Sequence, residues 1–149
     1  MDTLDSFDRD LLSLLRRDCR RTGEELAAEV GLSAASCLRR VQRLRRIGAI
    51  QREVAVVAPD LLGTPVTVVV LLTLRRGGRD RVDRLRQHLL GLPAVEQLMH
   101  VTGPADFVLT LRCASMEAYA AFTEAHFYDD VISGFESLVV LRDHAPDLG

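Results

Sequence analysis

The chain has 149 residues, 48% hydrophobic and 27% charged, which argues against disorder and allows one large or two small globular domains. Its longest apolar run, residues 66–74, is too short to span a membrane, and the acidic N-terminus lacks a signal-peptide core, so we expect a cytoplasmic protein. The net charge of −2 argues against nucleic-acid binding, but residues 33–52 carry six arginines and no acidic residue. For DNA binding, such a local basic stripe matters more than the net charge of the chain.

Three helices are predicted in the N-terminal third. The first covers about residues 6–18, where leucines recur at helical spacing. The second begins at a capping box at Thr22 and ends at Gly31, and the third covers about residues 34–47 behind a Ser33 cap. A helix, a short glycine turn and another helix form the helix-turn-helix pattern.

The third predicted helix is amphipathic. Its apolar side consists of Cys37, Leu38, Val41 and Leu44. Its other side is rich in arginine and includes Arg39, Arg40, Arg43 and Arg46. An arginine-only outer face suits the major groove of DNA, whereas the alternative, a solvated charged face, usually mixes both signs.

The second half of the chain predicts alternating strands and helices. Residues 50–57 are rich in β-branched side chains and indicate a strand or an extended linker, and residues 59–65 indicate a domain boundary. Strands are then predicted at 66–74, 95–102, 107–113 and about 135–142, with helices at 79–90 and after Ser115. The order β-α-β-β-α-β is the ferredoxin-like split motif.

We therefore predict an α+β protein with two domains. Residues 1–52 form a winged-type helix-turn-helix domain, 53–64 a strand or linker, and 65–149 a ferredoxin-like domain. The first and last strands of the second domain are apolar on both faces, although helices cover only one face of such a sheet. A second subunit that covers the other face would explain this pattern, so we expect at least a homodimer.

Metal, cofactor and catalytic signatures are not found in the sequence. The cysteines Cys19, Cys37 and Cys113 are far apart and indicate free thiols. The one candidate metal cluster consists of His126, Asp129 and Asp130. We interpret it as a solvated helix end. We expect no metal, no cofactor and no catalytic residue.

Several motifs together resemble the Lrp/AsnC (feast/famine) regulators of prokaryotes. Residues 31–44, GLSAASCLRRVQRL, resemble the helix-turn-helix of that family. Leu4-Asp5-x-x-Asp8 upstream, Val101-Thr102-Gly103-x-x-Asp106 and Glu136-Ser137-x-Val139-Val140-Leu141 resemble its other motifs. The resemblance covers nearly the whole chain and implies a transcription regulator that binds double-stranded DNA.

The resemblance also implies which side chains meet DNA. Early residues of the recognition helix contact base edges, which here are Ser33, Ala35, Ser36, Arg39 and Arg40. The candidates for phosphate neutralisation are Arg43, Arg46 and Arg52.

An amino acid or related effector bound between subunits is implied as well. The candidate residues are His100, Gly103, Asp106 and Ser137. An ionised Asp106 accepts hydrogen bonds from an α-ammonium group, or else it is a turn residue that bonds nearby backbone. Pro104, Ala105 and Phe135 make the site less polar, which favours an effector with an apolar side chain. Family members build homodimers into tetramers or octamers.

Two other functions remain open at this point. Siroheme decarboxylases share the two-domain architecture, and an enzyme of that kind would need a tetrapyrrole cleft with basic residues. A nucleoid-organising protein without an effector would bind DNA with little sequence preference and strong salt dependence.

Overall fold

The computed structural model of the protein describes residues 3–75 and 78–144. These residues divide into two compact units, the first ending at Val56 and the second spanning Val57–His144. The division falls within the segment 53–64 that was predicted as a strand or linker. The extreme ends of the predicted domains, residues 1–2 and 145–149, lie outside the described residues.

The first unit contains three helices, α1 (Ser6–Arg17), α2 (Gly23–Val30) and α3 (Ala34–Arg46). Capping boxes begin α1 and α2, and the Ser33 hydroxyl accepts the Ser36 N–H at the start of α3. Gly31 ends α2 at a φ of 75°, in the left-handed region that glycine enters without a steric cost. The predicted helix-turn-helix is therefore confirmed.

The core of the first unit is built from the apolar faces of all three helices. It comprises the buried residues Leu11, Leu15, Leu26, Cys37, Val41 and Leu44. Leu38, which helical spacing placed on the same side, is 49% exposed. Its side chain lies at the margin of the core beside Gly23, where an added Cβ would come within 2.9 Å of the Leu38 Cγ atom. Helices α2 and α3 therefore approach each other closely at a residue that has no side chain.

The segment after α3 contains neither helix nor strand over residues 51–58. A short 3-10 helix, Pro59–Leu62, follows and ends at Gly63. Of the two alternatives for residues 50–57, the strand is not observed. The β-branched side chains Val54 and Val56 are exposed.

The second unit comprises β1 (Val66–Leu74), α4 (Arg79–Leu90), β2 (Val95–His100), β3 (Phe107–Cys113), α5 (Met116–His126) and β4 (Ile132–Val139). The strands form one antiparallel sheet in the order β2-β3-β1-β4, so the predicted ferredoxin-like fold is confirmed.

Strand β4 lies three residues earlier than the predicted 135–142. The predicted start at Phe135 left out Gly134, which lies inside β4 and is paired with Thr73. The strand then begins at Ile132, which pairs with Leu74 across a register shift.

The two faces of the sheet differ. Side chains of β1 and β3 such as Val70, Leu72 and Leu109 are fully buried in the core that includes residues of α4 and α5. The register places Val69 beside Leu138 and Leu71 beside Val108 on the opposite face. We call this opposite face the open face, and define it by Val69, Leu71, Met99, Val108 and Leu138, all of which are partly or largely exposed.

Candidate functional site

The start of α3 presents small polar side chains. The Ser33 hydroxyl donates to the Ser36 hydroxyl at 2.9 Å, and the Arg39 Nη2 atom lies 3.5 Å from the same Ser36 oxygen. Ala35 and Arg39 are exposed, as are Arg46 and Arg52 further along the chain. Five of the eight predicted DNA-contacting residues therefore lie at the start of α3 or on its exposed surface, in positions open to a ligand.

A groove runs between the first turn of α1 and the arginine side of α3. We call it the arginine groove, and it is lined by Thr3, Asp5, Asp8, Arg39, Arg40, Gln42, Arg43 and Arg46. Arg40 Nη1 lies 2.8 Å from an oxygen of Asp5 and 2.8 Å from Asp8 Oδ1. Arg43 Nη1 lies 3.0 Å from Asp8 Oδ2. Two of the predicted DNA-contacting arginines are therefore bound to carboxylates of α1.

Asp8 is the buried member of this network, with only 1% of its surface exposed. Burial by itself raises the pKa of the Asp8 carboxyl. Hydrogen bonds from Arg40, from the backbone of Asp5 and from Arg43 outweigh this effect, so that the pKa lies below its ordinary value. Asp8 is therefore held ionised between two arginines.

The role of Asp5 and Asp8 in this groove was not predicted. The motif Leu4-Asp5-x-x-Asp8 was noticed as a resemblance, and it does form the capping box of α1. The ion pairs, however, join residues that are 32 and 35 positions apart. Spacing along the chain carries no signal for such a contact.

A second cleft, of about 450 Å³, lies beside α4 in the second unit. We call it the α4 cleft, and it is lined by Leu74, Arg75, Arg79, Val82, Asp83, Arg86, His100, Asp106 and Phe107. It combines three guanidinium groups, two carboxylates and apolar side chains. Its arginines were not among the predicted effector residues.

Asp106 also has a structural task at the edge of this cleft. Its Oδ2 atom accepts the N–H of Leu74 at 2.7 Å, and its own N–H donates to the carbonyl oxygen of Leu72 at 2.9 Å. The loop that precedes it contains Gly103 at a φ of 126°, a conformation that favours glycine. The side chain therefore ties the loop between β2 and β3 to β1.

The four predicted effector residues do not meet within one subunit. His100 and Asp106 line the α4 cleft, and the His100 ring lies 4.9 Å from that of Phe107. Ser137 lies on β4, at the other edge of the sheet from the strand of His100. Its hydroxyl forms a hydrogen bond with the Tyr119 hydroxyl.

Within residues 3–75 and 78–144, no three His, Cys, Asp or Glu side chains are grouped so as to hold a metal ion. Among the same residues, no helix has the length and apolarity needed to cross a membrane.

Both units match known protein domains. Residues 4–45 match the AsnC-type helix-turn-helix domain, and residues 67–148 match the Lrp/AsnC ligand binding domain. An HTH-type transcriptional regulator of Sinorhizobium fredii is 41% identical over 139 residues, which is 93% of this chain and 82% of the relative.

Solved structures agree with this assignment. An AsnC family transcriptional regulator from Agrobacterium tumefaciens superposes with a TM-score of 0.85 at 28% identity, covering 94% of this chain and 92% of its own. A Neisseria meningitidis transcriptional regulator in complex with L-Met gives 0.85 at 25% identity, covering 99% and 97%. One chain thus combines a helix-turn-helix unit with a ferredoxin-like unit that matches the family's ligand binding domain. It belongs to the Lrp/AsnC family of transcriptional regulators.

Proposed function

We propose that the protein reads a specific DNA operator with α3 and that an amino acid bound to the second unit controls this binding. The observation that carries the DNA part is the exposed side of α3, where Arg39 and Arg46 extend from a helix that acidic residues do not interrupt. A helix of this kind fits the major groove, where arginine binds the two acceptors of guanine.

The proposed contacts divide into two classes. Base edges are read from the start of α3, by Ser33, Ala35, Ser36, Arg39 and Arg40. Phosphates are bound by Arg43, Arg46 and Arg52, whose contribution depends on salt rather than on sequence. Because Arg40 also neutralises the buried Asp8, Arg39 gives the cleaner test of base reading.

Arg39→Ala is expected to weaken operator binding by about 1–3 kcal/mol and to relax sequence preference, because a bidentate base contact is lost. Arg46→Ala is expected to weaken binding to all duplexes alike and to reduce the slope of log K against log salt by about 1, the contribution of one phosphate contact. The measurement is fluorescence anisotropy on an operator that is first located by footprinting the DNA upstream of the protein's own gene. Arg84→Ala, which removes an arginine from the second unit, is the control. If both α3 variants bind like this control, α3 is not the reading element.

For the effector we propose an amino acid with an apolar side chain. The α4 cleft supports this, since its arginines suit an α-carboxylate, Asp106 suits an α-ammonium group, and Leu74 and Phe107 suit an apolar side chain. The similar Neisseria meningitidis regulator was solved with L-Met, which has such a side chain. Because His100 and Ser137 lie at opposite edges of one sheet, a site that uses them together with Gly103 and Asp106 requires two subunits.

Assembly and location follow from the same function. We propose a homodimer or a higher homo-oligomer, such as a tetramer or octamer, in which the open face is covered by a second copy. The protein would act in the cytoplasm, where prokaryotic DNA is accessible, and as a regulator rather than an enzyme. Decarboxylation of added siroheme would instead support the enzyme, and equal affinity for all duplexes would support a nucleoid-organising protein.

A further inference from the structure

We propose that Asp8, assisted by Asp5, is a positioning residue for the DNA-reading surface. The two carboxylates restrain Arg40 and Arg43 against α1, which lowers the affinity for non-specific DNA more than the affinity for the operator. This inference rests on the proposed DNA-binding function and concerns how that surface discriminates between sequences.

The Asp8 carboxylate uses both of its oxygens. Oδ1 accepts from Arg40 at 2.8 Å, and Oδ2 accepts from Arg43 at 3.0 Å and from the Asp5 backbone N–H at 3.2 Å. With 1% of its surface exposed, Asp8 has little access to water as a substitute partner. Removing an arginine from it leaves a buried charge with fewer partners, which is costly.

Arg40 is held by three residues of the α1 end of the groove. It binds Asp8, it binds Asp5 Oδ2 at 2.8 Å, and its guanidinium carbon lies 5.5 Å from the centre of the Phe7 ring. Only 28% of its side chain is exposed, and 30% of that of Arg43. Arg39, one position before Arg40 on the same helix, is in contrast exposed.

This restraint affects the two kinds of DNA differently. Non-specific binding comes almost entirely from phosphate neutralisation, and a phosphate must compete with Asp8 for Arg40 and Arg43. In the operator complex the same restraint is preorganisation, because a fixed Arg40 loses less conformational freedom when it meets a base edge. The carboxylates therefore increase the ratio of specific to non-specific affinity.

Asp8→Asn tests the inference, because it keeps the size of the side chain and removes the charge that holds both arginines. We expect log K for a random duplex to depend more steeply on log salt, by about 1–2, since each added phosphate contact contributes about 0.9. Non-specific affinity should rise about three- to tenfold near 0.1 M salt, and the ratio of operator to random-duplex affinity should fall. Asp10→Asn, which removes the same charge from an exposed site on α1, is the matched control.

A second variant, Asp5→Asn, tests the inference in case Asp8→Asn does not fold. Asp5 is 49% exposed, and asparagine also caps helices, so this variant keeps α1 while freeing Arg40 from one carboxylate. We expect its salt dependence to steepen by up to about 1. Circular dichroism shows whether Asp8→Asn is folded. If it is folded, both variants test the proposal; if it is not, Asp5→Asn alone does. If a folded test variant has the same salt slope and the same ratio of operator to random-duplex affinity as Asp10→Asn, the proposed restraint is overturned. A wild-type protein that binds no duplex overturns the proposed function itself.

Discussion

At the scale of single residues, two histidines form a contact that joins the helices of the second unit. His88 in the last turn of α4 and the final residue of α5, His126, place Nε2 and Nδ1 3.1 Å apart. The tautomers of the two rings set which nitrogen donates the hydrogen bond. Burial, and then the charge of His88, hold the pKa of His126 below its ordinary value of 6.5.

The free energy of unfolding of the second unit is therefore expected to fall as the pH falls from about 7 to about 5. Below pH 6.5 the unfolded chain protonates His126 more readily than the folded protein does, so acid favours unfolding. His126→Gln should reduce this pH dependence, while His144→Gln, at an exposed position, should leave it intact. Urea unfolding at several pH values measures it. Equal pH dependence in both variants would contradict the prediction.

The contacts of Asp8 and His126 also mark what the sequence could not predict. Helix starts were predicted because a cap such as Thr22 with Glu25 acts within one turn. The pairing of Asp8 with Arg40, or of His88 with His126, depends on how separate helices pack, and no local pattern encodes that packing. Candidate residues were therefore identified more readily than their partners.

At the scale of elements, two strands have the predicted bounds, β1 at 66–74 and β3 at 107–113. Buried and partly exposed side chains alternate along β3, whereas β1 is a run of mostly apolar and β-branched residues that follows Pro65. Strand β4 was predicted three residues too late, because it includes Gly134, which pairs with Thr73 inside the sheet. Glycine is uncommon in strand interiors, so this part of β4 carries a weak strand signal.

The loop before Asp106 offers a test at the same scale. Asp106→Asn keeps an oxygen for the Leu74 N–H but loses the charge, whereas Asp106→Ala loses both. We expect both variants to bind the proposed apolar amino acid, identified with a panel of amino acids, at least about tenfold more weakly, as an α-ammonium group would lose its ion pair. We expect only Asp106→Ala to lose about 1–3 kcal/mol of stability. Calorimetry and thermal unfolding measure these effects. Wild-type affinity for that amino acid in Asp106→Asn would mean that the side chain only ties the loop.

At the scale of the whole molecule, the open face is the main feature that one chain leaves unexplained. Leu138 is 50% exposed and Met99 38% exposed, on the face of the sheet opposite the buried core. Contiguous apolar surface of this kind commonly marks an interface with another protein. The sequence predicted that a second subunit covers this face of the sheet.

Strand register distinguishes substitutions on the two faces of the sheet. Val69→Asp places a charge in the middle of the open face, so we expect it to weaken self-association at least about tenfold by burying an unpaired carboxylate. Val139 is paired with Val68, whose side chain faces the helices, so Val139→Asp should weaken association less. Sedimentation equilibrium measures both. A wild-type protein that is monomeric at micromolar concentration, or a Val69→Asp variant that associates normally, would contradict the prediction.

The close approach at Gly23 has a practical consequence for anyone who redesigns the operator preference. A methyl group at this position would lie 2.9 Å from the Leu38 Cγ atom and 3.2 Å from the backbone oxygen of Ala34, so the half-exposed Leu38 side chain must rotate and the start of α3 must shift slightly to admit it. A combinatorial library that varied Gly23 would therefore change the packing of α2 against α3 together with any change in DNA preference. Libraries confined to Ala35, Ser36 and Arg39, the proposed base-contacting residues, would vary the side chains offered to DNA while the packing of α2 against α3 stays the same.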